Sequence, residues 1–285
     1  MTRKLLDLSG KIDPTTIEFY ETIATVAASL NIPFFVVGAA ARDMILEYGF
    51  GVTPRRATVD VDLAIEVQDW KTYEKLKESL VTTGDFKPSK SVKRLLYKDD
   101  LPIDIVPFGV GRDNKITWPP DYDVKMSTLG FEEAYRYSQL VRLRSNPILE
   151  ILFASMPGLA IMKIISWSER NPSERNRDAI DLELLMRNYI EAGNSQRLYN
   201  EDADLLNEDD FDYERASARL LGRDIAKIAK PETRSFLLAI LDRETGEQEQ
   251  YRLIEDMMGS VFSSAETFDE KLQLLEALKA GILDR

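Results

Sequence analysis

The sequence predicts an α+β fold: a small mixed sheet flanked by helices over residues 1–155, then a helical C-terminal region over 156–285. Three observations carry this expectation. Short apolar or alternating runs at 33–37, 58–65, 94–98, 102–108, 139–143 and 148–153 have the length and period of strands. Stretches with helical spacing separate the first of them. Beyond Met156-Pro157-Gly158 only the helical period remains.

At 285 residues the chain suits one large domain or two modest ones. It contains no cysteine and no histidine. That excludes disulfides, thiolate or imidazole metal sites, Ser-His-Asp triads and imidazole bases. Catalysis would have to use carboxylates, Lys, Arg, Tyr, hydroxyls or a metal held by oxygen. The first residues lack an apolar core of signal-peptide length and no run approaches a membrane span, which together predict a cytoplasmic protein. Most of the net charge of −12 lies in residues 199–285, with 21 acids against 11 bases. The nearly neutral front half leaves room for a local basic groove.

Asp13-Pro14 reads as an N-cap followed by proline in the first turn, opening a helix on Ile17, Tyr20, Ile23, Ala27 and Leu30. Pro33 to Val37 is a buried strand. Gly38 follows at once, and Ala39 to Tyr48 reads as a helix. Strand, glycine and helix start is an arrangement that offers backbone N–H groups to a phosphate, and Arg42 sits one turn further on. The same glycine is also explained by turn geometry, and Arg42 by an ion pair with Asp43.

Thr58 to Ile65 alternates strictly. Val59, Val61, Leu63 and Ile65 fall on one face, and Asp60, Asp62 and Ala64 on the other. The two carboxylates lie about 6.5–7 Å apart along such a strand. Two like charges side by side repel unless a cation sits between them, so the stretch reads either as a metal-binding strand or as a half-exposed strand with solvated acids.

Asp69 caps a helix running to Leu80. Lys87 to Arg94 is basic, either a solvated loop or a contact to phosphates. Residues 94–98 and 102–108 form a hairpin joined at Asp99-Asp100. In its second strand Asp104 points away from Ile103 and Ile105. An unpaired acid there is costly to bury, and next to residues 58–65 it completes a trio with Asp60 and Asp62.

Pro119-Pro120 marks a linker, and strands at 139–143 and 148–153 turn at Ser145-Asn-Pro147. The apolar helix after Pro157 carries Lys163, either a site residue or a lysine snorkelling to water. Asp178 and Asp181 share a face of the next helix. Glu201 to Glu214 holds eight acids and no base, and reads as an exposed loop or helix approach.

With these pieces in order, the chain resembles nucleotidyltransferases of the DNA polymerase β-like superfamily, and more narrowly the AbiEii/AbiGii toxin-type group. The superfamily pattern matches Val37-Gly38-Ala39, Asp60-Val-Asp62 and Asp104. The group's further marks match Arg56-Ala-Thr58, Leu159-Ala-Ile-Met-Lys163 and Arg177-Asp178-Ala-Ile-Asp181-Leu182, with Leu221-Gly-Arg-Asp224 typical of a subgroup. The turn Gly38-Ala-Ala-Ala-Arg42-Asp43 is also similar to that of tRNA CCA-adding enzymes, whose later motifs are not evident. Ala39 stands where many superfamily members have Ser or Gly, so a hydroxyl contact to phosphate is missing.

The resemblance implies a nucleotidyltransferase domain over residues 1–155 that moves a nucleoside monophosphate from an NTP to a hydroxyl. It implies two Mg²⁺ ions, with Mn²⁺ as substitute, held by Asp60, Asp62 and Asp104. Asp104 would also accept the acceptor's proton. Gly38 and Ala39 would cradle the β- and γ-phosphates. Arg42, Arg56 and Lys163 would touch the triphosphate, and Thr58 and Asp181 complete the nucleotide-binding set. Lys163 counts with the three aspartates among the catalytic candidates. RNA, including a tRNA 3′ end, is the implied acceptor, and a cognate antitoxin the implied partner. The competing expectation is a non-catalytic relative that binds nucleotide or a partner, or an enzyme with a small-molecule or protein acceptor.

Overall fold

The computed structural model describes residues 3–53, 58–98, 100–110, 114–119, 125–207, 211–246, 250–259 and 265–284. They fall into two compact units, Met1–Ser155 and Met156–Arg285. Among the described residues no helix is long and apolar enough to cross a membrane.

The first unit runs β1 (Leu5–Asp7), α1 (Pro14–Ser29), β2 (Phe34–Val37), α2 (Gly38–Asp43), β3 (Val61–Glu66), α3 (Trp70–Thr82), β4 (Phe86–Pro88), β5 (Arg94–Tyr97), β6 (Leu101–Phe108), β7 (Lys115–Thr117), β8 (Lys125–Ser127), α4 (Phe131–Arg136), β9 (Gln139–Ser145) and β10 (Ile148–Phe153). Both expected caps are present. The Asp13 carboxylate accepts the Thr16 amide at 2.9 Å, and that of Asp69 accepts the Thr72 amide at 2.7 Å. The helix expected after Val37 begins at Gly38 and widens at Met44–Gly49 into a π-helical turn.

Eight strands form one mixed sheet in the order β1-β9-β10-β2-β3-β6-β5-β4. The three-residue strands β1 and β4 extend its edges beyond the expected set. β7 and β8 pair separately, in the stretch expected as a linker. At the centre β2 and β3 are antiparallel, β3 and β6 parallel, and β6 and β5 antiparallel.

Register sorts the side chains. Val37 lies opposite Asp62, Asp62 opposite Asp104, and Asp104 opposite Arg94, so all four share one face. Leu63, Ile103 and Leu95 take the other face and are buried. On that second face Phe19 of α1 meets Tyr97 edge to face, with ring centroids 4.9 Å apart. The first face changes character along its length. At one end it carries the acids, and at the other Phe35 and Phe108 pack against Tyr135 of α4 at 5.5 and 5.6 Å.

One expectation is corrected at the start of β3. Val59 was expected on the buried face with Leu63 and Ile65, but it is 70% exposed. Pairing begins only at Val61, so Val59 and Asp60 precede the strand and its alternation does not govern them.

The second unit is helical: α5 (Met156–Glu169), α6 (Asn176–Asn188), α7 (Tyr213–Ile228), α8 (Pro231–Thr245), α9 (Arg252–Met258) and α10 (Ala265–Leu283), with 3-10 turns at Ser195–Tyr199 and Ala203–Asn207. α7 and α10 approach backbone to backbone. A Cβ on Gly222 would lie 2.2 Å from the Leu278 carbonyl oxygen, and one on Gly281 2.0 Å from that of Arg219. The acidic stretch from Glu201 is not simply an exposed loop. Asp202 is buried, 2.9 Å from Arg197 and 3.0 Å from Arg223. Arg223 also binds Asp204 and Asp284. The acids there answer arginines on α7 and on the preceding turn, a pairing that a local run of like charges does not reveal. Glu208, Asp209 and Asp210 lie outside the described residues.

Candidate active site

The site grows from the meeting of β2, β3 and β6. Gly38 ends β2 and opens α2 with φ +68°, a left-handed conformation that favours glycine. Space enforces the same choice. A Cβ on Gly38 would lie 2.1 Å from Asp62 Oδ2. The Asp62 carboxylate therefore occupies the room a side chain at 38 would need. Ala39 follows, buried at the first turn of α2.

Asp62 and Asp104 are register partners on adjacent parallel strands. Asp104 is 2% exposed, and two cations hold it. Arg94 Nε donates to Oδ1 at 2.6 Å and Nη2 to Oδ2 at 3.1 Å, while Lys93 Nζ lies 2.6 Å from Oδ2. Burial alone would push the Asp104 carboxyl up, but the hydrogen bonds and charges of Arg94 and Lys93 outweigh it and hold it below the usual carboxylate range. Arg94 responds in the opposite sense, raised chiefly by its hydrogen bond to Asp104, with smaller contributions from Asp60 and Asp62. Its Nη2 also lies 3.6 Å from Asp60 Oδ2.

A second cluster anchors the approach to β3. Arg42 is buried, and its Nε donates to Asp43 Oδ1 at 2.7 Å. Thr58 Oγ1 donates to the other Asp43 oxygen. Asp43 thus ties α2 to the segment that leads into Asp60. Of the two roles open to Arg42, the structure displays the ion pair with Asp43. Arg56 lies outside the described residues.

Lys163 belongs to the second unit. Its Nζ sits 2.8 Å from Asp178 Oδ1 and 2.7 Å from Asp181 Oδ2, and both carboxylates are 1% exposed. Arg170 reaches the other Asp178 oxygen at 3.2 Å. Burial would lower the Lys163 pKa, but the two aspartates win and raise it. The lysine does not snorkel to water. Asp178 and Asp181, on one face of α6, hold Lys163 between them.

Sequence reasoning did not pair Arg94 and Lys93 with Asp104; it placed both in a basic stretch, either a solvated loop or a contact to phosphates, and Arg94 also at the start of the first hairpin strand. A turn at Asp99-Asp100 would set Leu95 opposite Asp104; the observed register, with Tyr97 opposite Leu101, is shifted by one residue and sets Arg94 there instead.

The donor set of Asp60, Asp62 and Asp104 is all oxygen and anionic, which suits a hard divalent cation, and the glycine at 38 leaves Asp62 the space to serve one. Among the described residues no three carboxylates converge as a ready cage, because Asp104 is turned to Arg94 and Lys93.

Comparison with known proteins follows the same line. The family described as nucleotidyl transferase AbiEii toxin, type IV toxin–antitoxin system, matches residues 24–274. No curated protein matches the chain. Among solved structures it is similar to the antibiotic-resistance factor ANT(2'')-Ia, at 14% identity and TM-score 0.39, over 68% of this chain and 96% of that one. It is also similar to a CCA-adding enzyme in complex with ATP, at 19% identity and TM-score 0.32, over 91% of this chain and 66% of that one. The Thermotoga maritima CCA-adding enzyme complexed with tRNA matches at 13% identity and TM-score 0.26, over 93% and 67%.

Proposed function

The chain belongs to the AbiEii nucleotidyl transferase toxin family, and from that premise we propose that its first unit is the catalytic domain of a divalent-cation-dependent enzyme that transfers a nucleoside monophosphate to RNA. The acceptor hydroxyl gives up its proton and its oxygen forms a bond to the α-phosphorus of the NTP. The bond from that phosphorus to the bridging oxygen breaks, and pyrophosphate leaves with the electron pair. The single observation that carries the assignment is the Gly38–Asp62–Asp104 arrangement: a glycine whose missing side chain houses one carboxylate, with a second carboxylate in register beside it.

Asp60, Asp62 and Asp104 are the residues that would hold Mg²⁺, or Mn²⁺ in its place. Two such ions neutralise charge on the phosphate and on the entering and leaving oxygens. Asp104 would also take the proton that the acceptor hydroxyl gives up. The N–H groups of Gly38 and Ala39 receive the β- and γ-phosphates. Arg42 and Thr58 border the same turn, and Arg56 is assigned to the triphosphate by family resemblance. Asp43 fixes Arg42 and Thr58, so their contribution is to hold the turn and the start of β3 in place. Lys163, oriented by Asp178 and Asp181, is assigned to the nucleotide by family resemblance. The second unit then serves as a helical C-terminal domain. A tRNA 3′ end is the acceptor favoured by the resemblance, and a cognate antitoxin is the partner it implies.

A labelling experiment tests this. Purified protein receives each α-labelled NTP with Mg²⁺ and total cellular RNA, beside the double variant Asp60→Ala, Asp62→Ala. Label on RNA that requires Mg²⁺ and is lost in the variant is the expected result. Label on a small molecule or on protein instead would overturn the RNA acceptor. Nucleotide binding without any transfer would overturn the catalytic assignment in favour of a binding relative.

A further inference from the structure

The function just proposed leaves two cations unexplained. Asp104 is the most buried member of the acidic trio, yet neither of its oxygens is open. Arg94 forks across both, and Lys93 adds a third contact on Oδ2. The same guanidinium extends to 3.6 Å from Asp60. One arginine therefore spans two of the three carboxylates, and its charge is felt by the third as well. Formally, three negative charges are answered by two positive ones before any ion arrives. Divalent-cation affinity at oxygen sites follows the charge of the ligand set, so this compensation weakens the site for an ion arriving alone.

The two cations are held differently from the acid they cover. Asp104 is fixed within the sheet. Arg94 is about one-third exposed and Lys93 about half exposed, both on long flexible stems. A guanidinium fork binds phosphate oxygens in the manner it binds a carboxylate. A nucleotide that reaches from Gly38, at the end of β2, across β3 to Asp104 on β6 brings phosphate oxygens toward Arg94 on β5 and offers it an alternative partner.

Resting on the nucleotidyltransferase function proposed above, we propose that Arg94 and Lys93 are internal counter-ions of the cation site, which hold Asp104 in the free protein and release it to the divalent cation when the nucleotide's phosphates take them over. Cation and nucleotide then bind with positive coupling, and by linkage each strengthens the other by the same factor. Arg94 and Lys93 are positioning residues, since they act through Asp104.

The test is binding of Mn²⁺ alone, followed by the electron paramagnetic resonance of the free ion, to the full chain, to Arg94→Gln, to Lys93→Gln and to Asp60→Asn, Asp62→Asn. Removing either counter-ion is expected to tighten Mn²⁺ binding, about tenfold for Arg94→Gln, within the usual range of coupling between sites. The double aspartate variant is expected to lose it. Lys93→Gln removes a half-exposed group and leaves the Arg94 fork in place, so it reports even where Arg94→Gln lowers the melting temperature. Unchanged Mn²⁺ affinity in Lys93→Gln, with binding still lost in the aspartate variant, would overturn the counter-ion role and leave the enzymatic assignment standing. No Mn²⁺ binding to any of the four proteins would overturn both.

Discussion

At the scale of single residues, position 38 is the most constrained in the candidate site. Its backbone is left-handed, and the volume a methyl group would need is filled by an oxygen of Asp62. Gly38→Ala must therefore strain the turn and displace the carboxylate together. The expected cost is about 1–3 kcal/mol of stability from the backbone alone, with transfer activity falling much further than stability. Thermal melting beside the labelling assay separates the two. A variant that keeps full activity would mean the Asp62 carboxylate is not needed where it stands. Lys163 presents the reverse problem. It lies between two carboxylates that are both 1% exposed, so Lys163→Ala removes the ammonium they share and leaves Arg170 as the cation on Asp178. Breaking a buried pair in this way costs about 3–5 kcal/mol. Loss of activity in that variant is informative only beside its melting temperature. Lys163→Met combined with Asp178→Asn and Asp181→Asn is expected to recover much of the lost stability while activity stays lost. Recovery of activity in the triple variant would remove Lys163 from the chemistry.

At the scale of elements, the parts legible in the sequence are those whose signal is local. The caps at Asp13 and Asp69 follow from side-chain chemistry within three residues, and both form. The hairpin of β5 and β6 follows from alternation on either side of a short turn. The order of glycine turn, paired aspartates and third aspartate was readable for the same reason. What could not be read depends on partners far along the chain. β1 has only three residues, too few to show a period, and it exists because β9 pairs with it from about 135 residues away. β4, β7 and β8 have partners only about ten residues away, and they went unread because they too have just three residues. Val59 shows the complementary failure. Alternation continues through it, but the neighbouring strand does not, and pattern alone cannot say where pairing stops. The tie from Thr58 through Asp43 to Arg42 crosses about fifteen residues, and the sequence offered only its Arg42–Asp43 half.

At the scale of the whole molecule, four carboxylates held by cations, one in the first unit and three in the second, share one electrostatic behaviour. In the first unit Asp104 lies below its ordinary pKa despite burial, because of Arg94 and Lys93. In the second, burial acts upward on Asp224 and Asp284, and their arginine partners bring both below it, while Asp204 is lowered chiefly by Arg223. Each group binds its proton more weakly when folded than when unfolded. Each therefore contributes stability that is fully present above the unfolded value, about 3.9, and lost as pH falls through the folded value. Stability measured by denaturant titration is expected to be nearly flat through neutral pH and to fall steeply below about pH 4. Asp284→Asn is expected to lower the plateau and flatten the acidic limb. An acidic limb of unchanged steepness would show that the arginine network around Asp284 does not stabilise the second unit.

The parallel pairing of β3 with β6 sets an order of events. Asp62 and Asp104 are about forty residues apart in sequence, and a parallel pair cannot be closed by a tight turn. α3, β4 and β5 all intervene, so the two carboxylates become neighbours only when that whole crossover has folded. Contacts of such separation come slowly, after the loop-closure entropy has been met. A nascent or damaged chain thus carries the aspartates without the site they form. On the catalytic role proposed for the first unit, the capacity to act would be conferred by its completed folding rather than by synthesis of its residues.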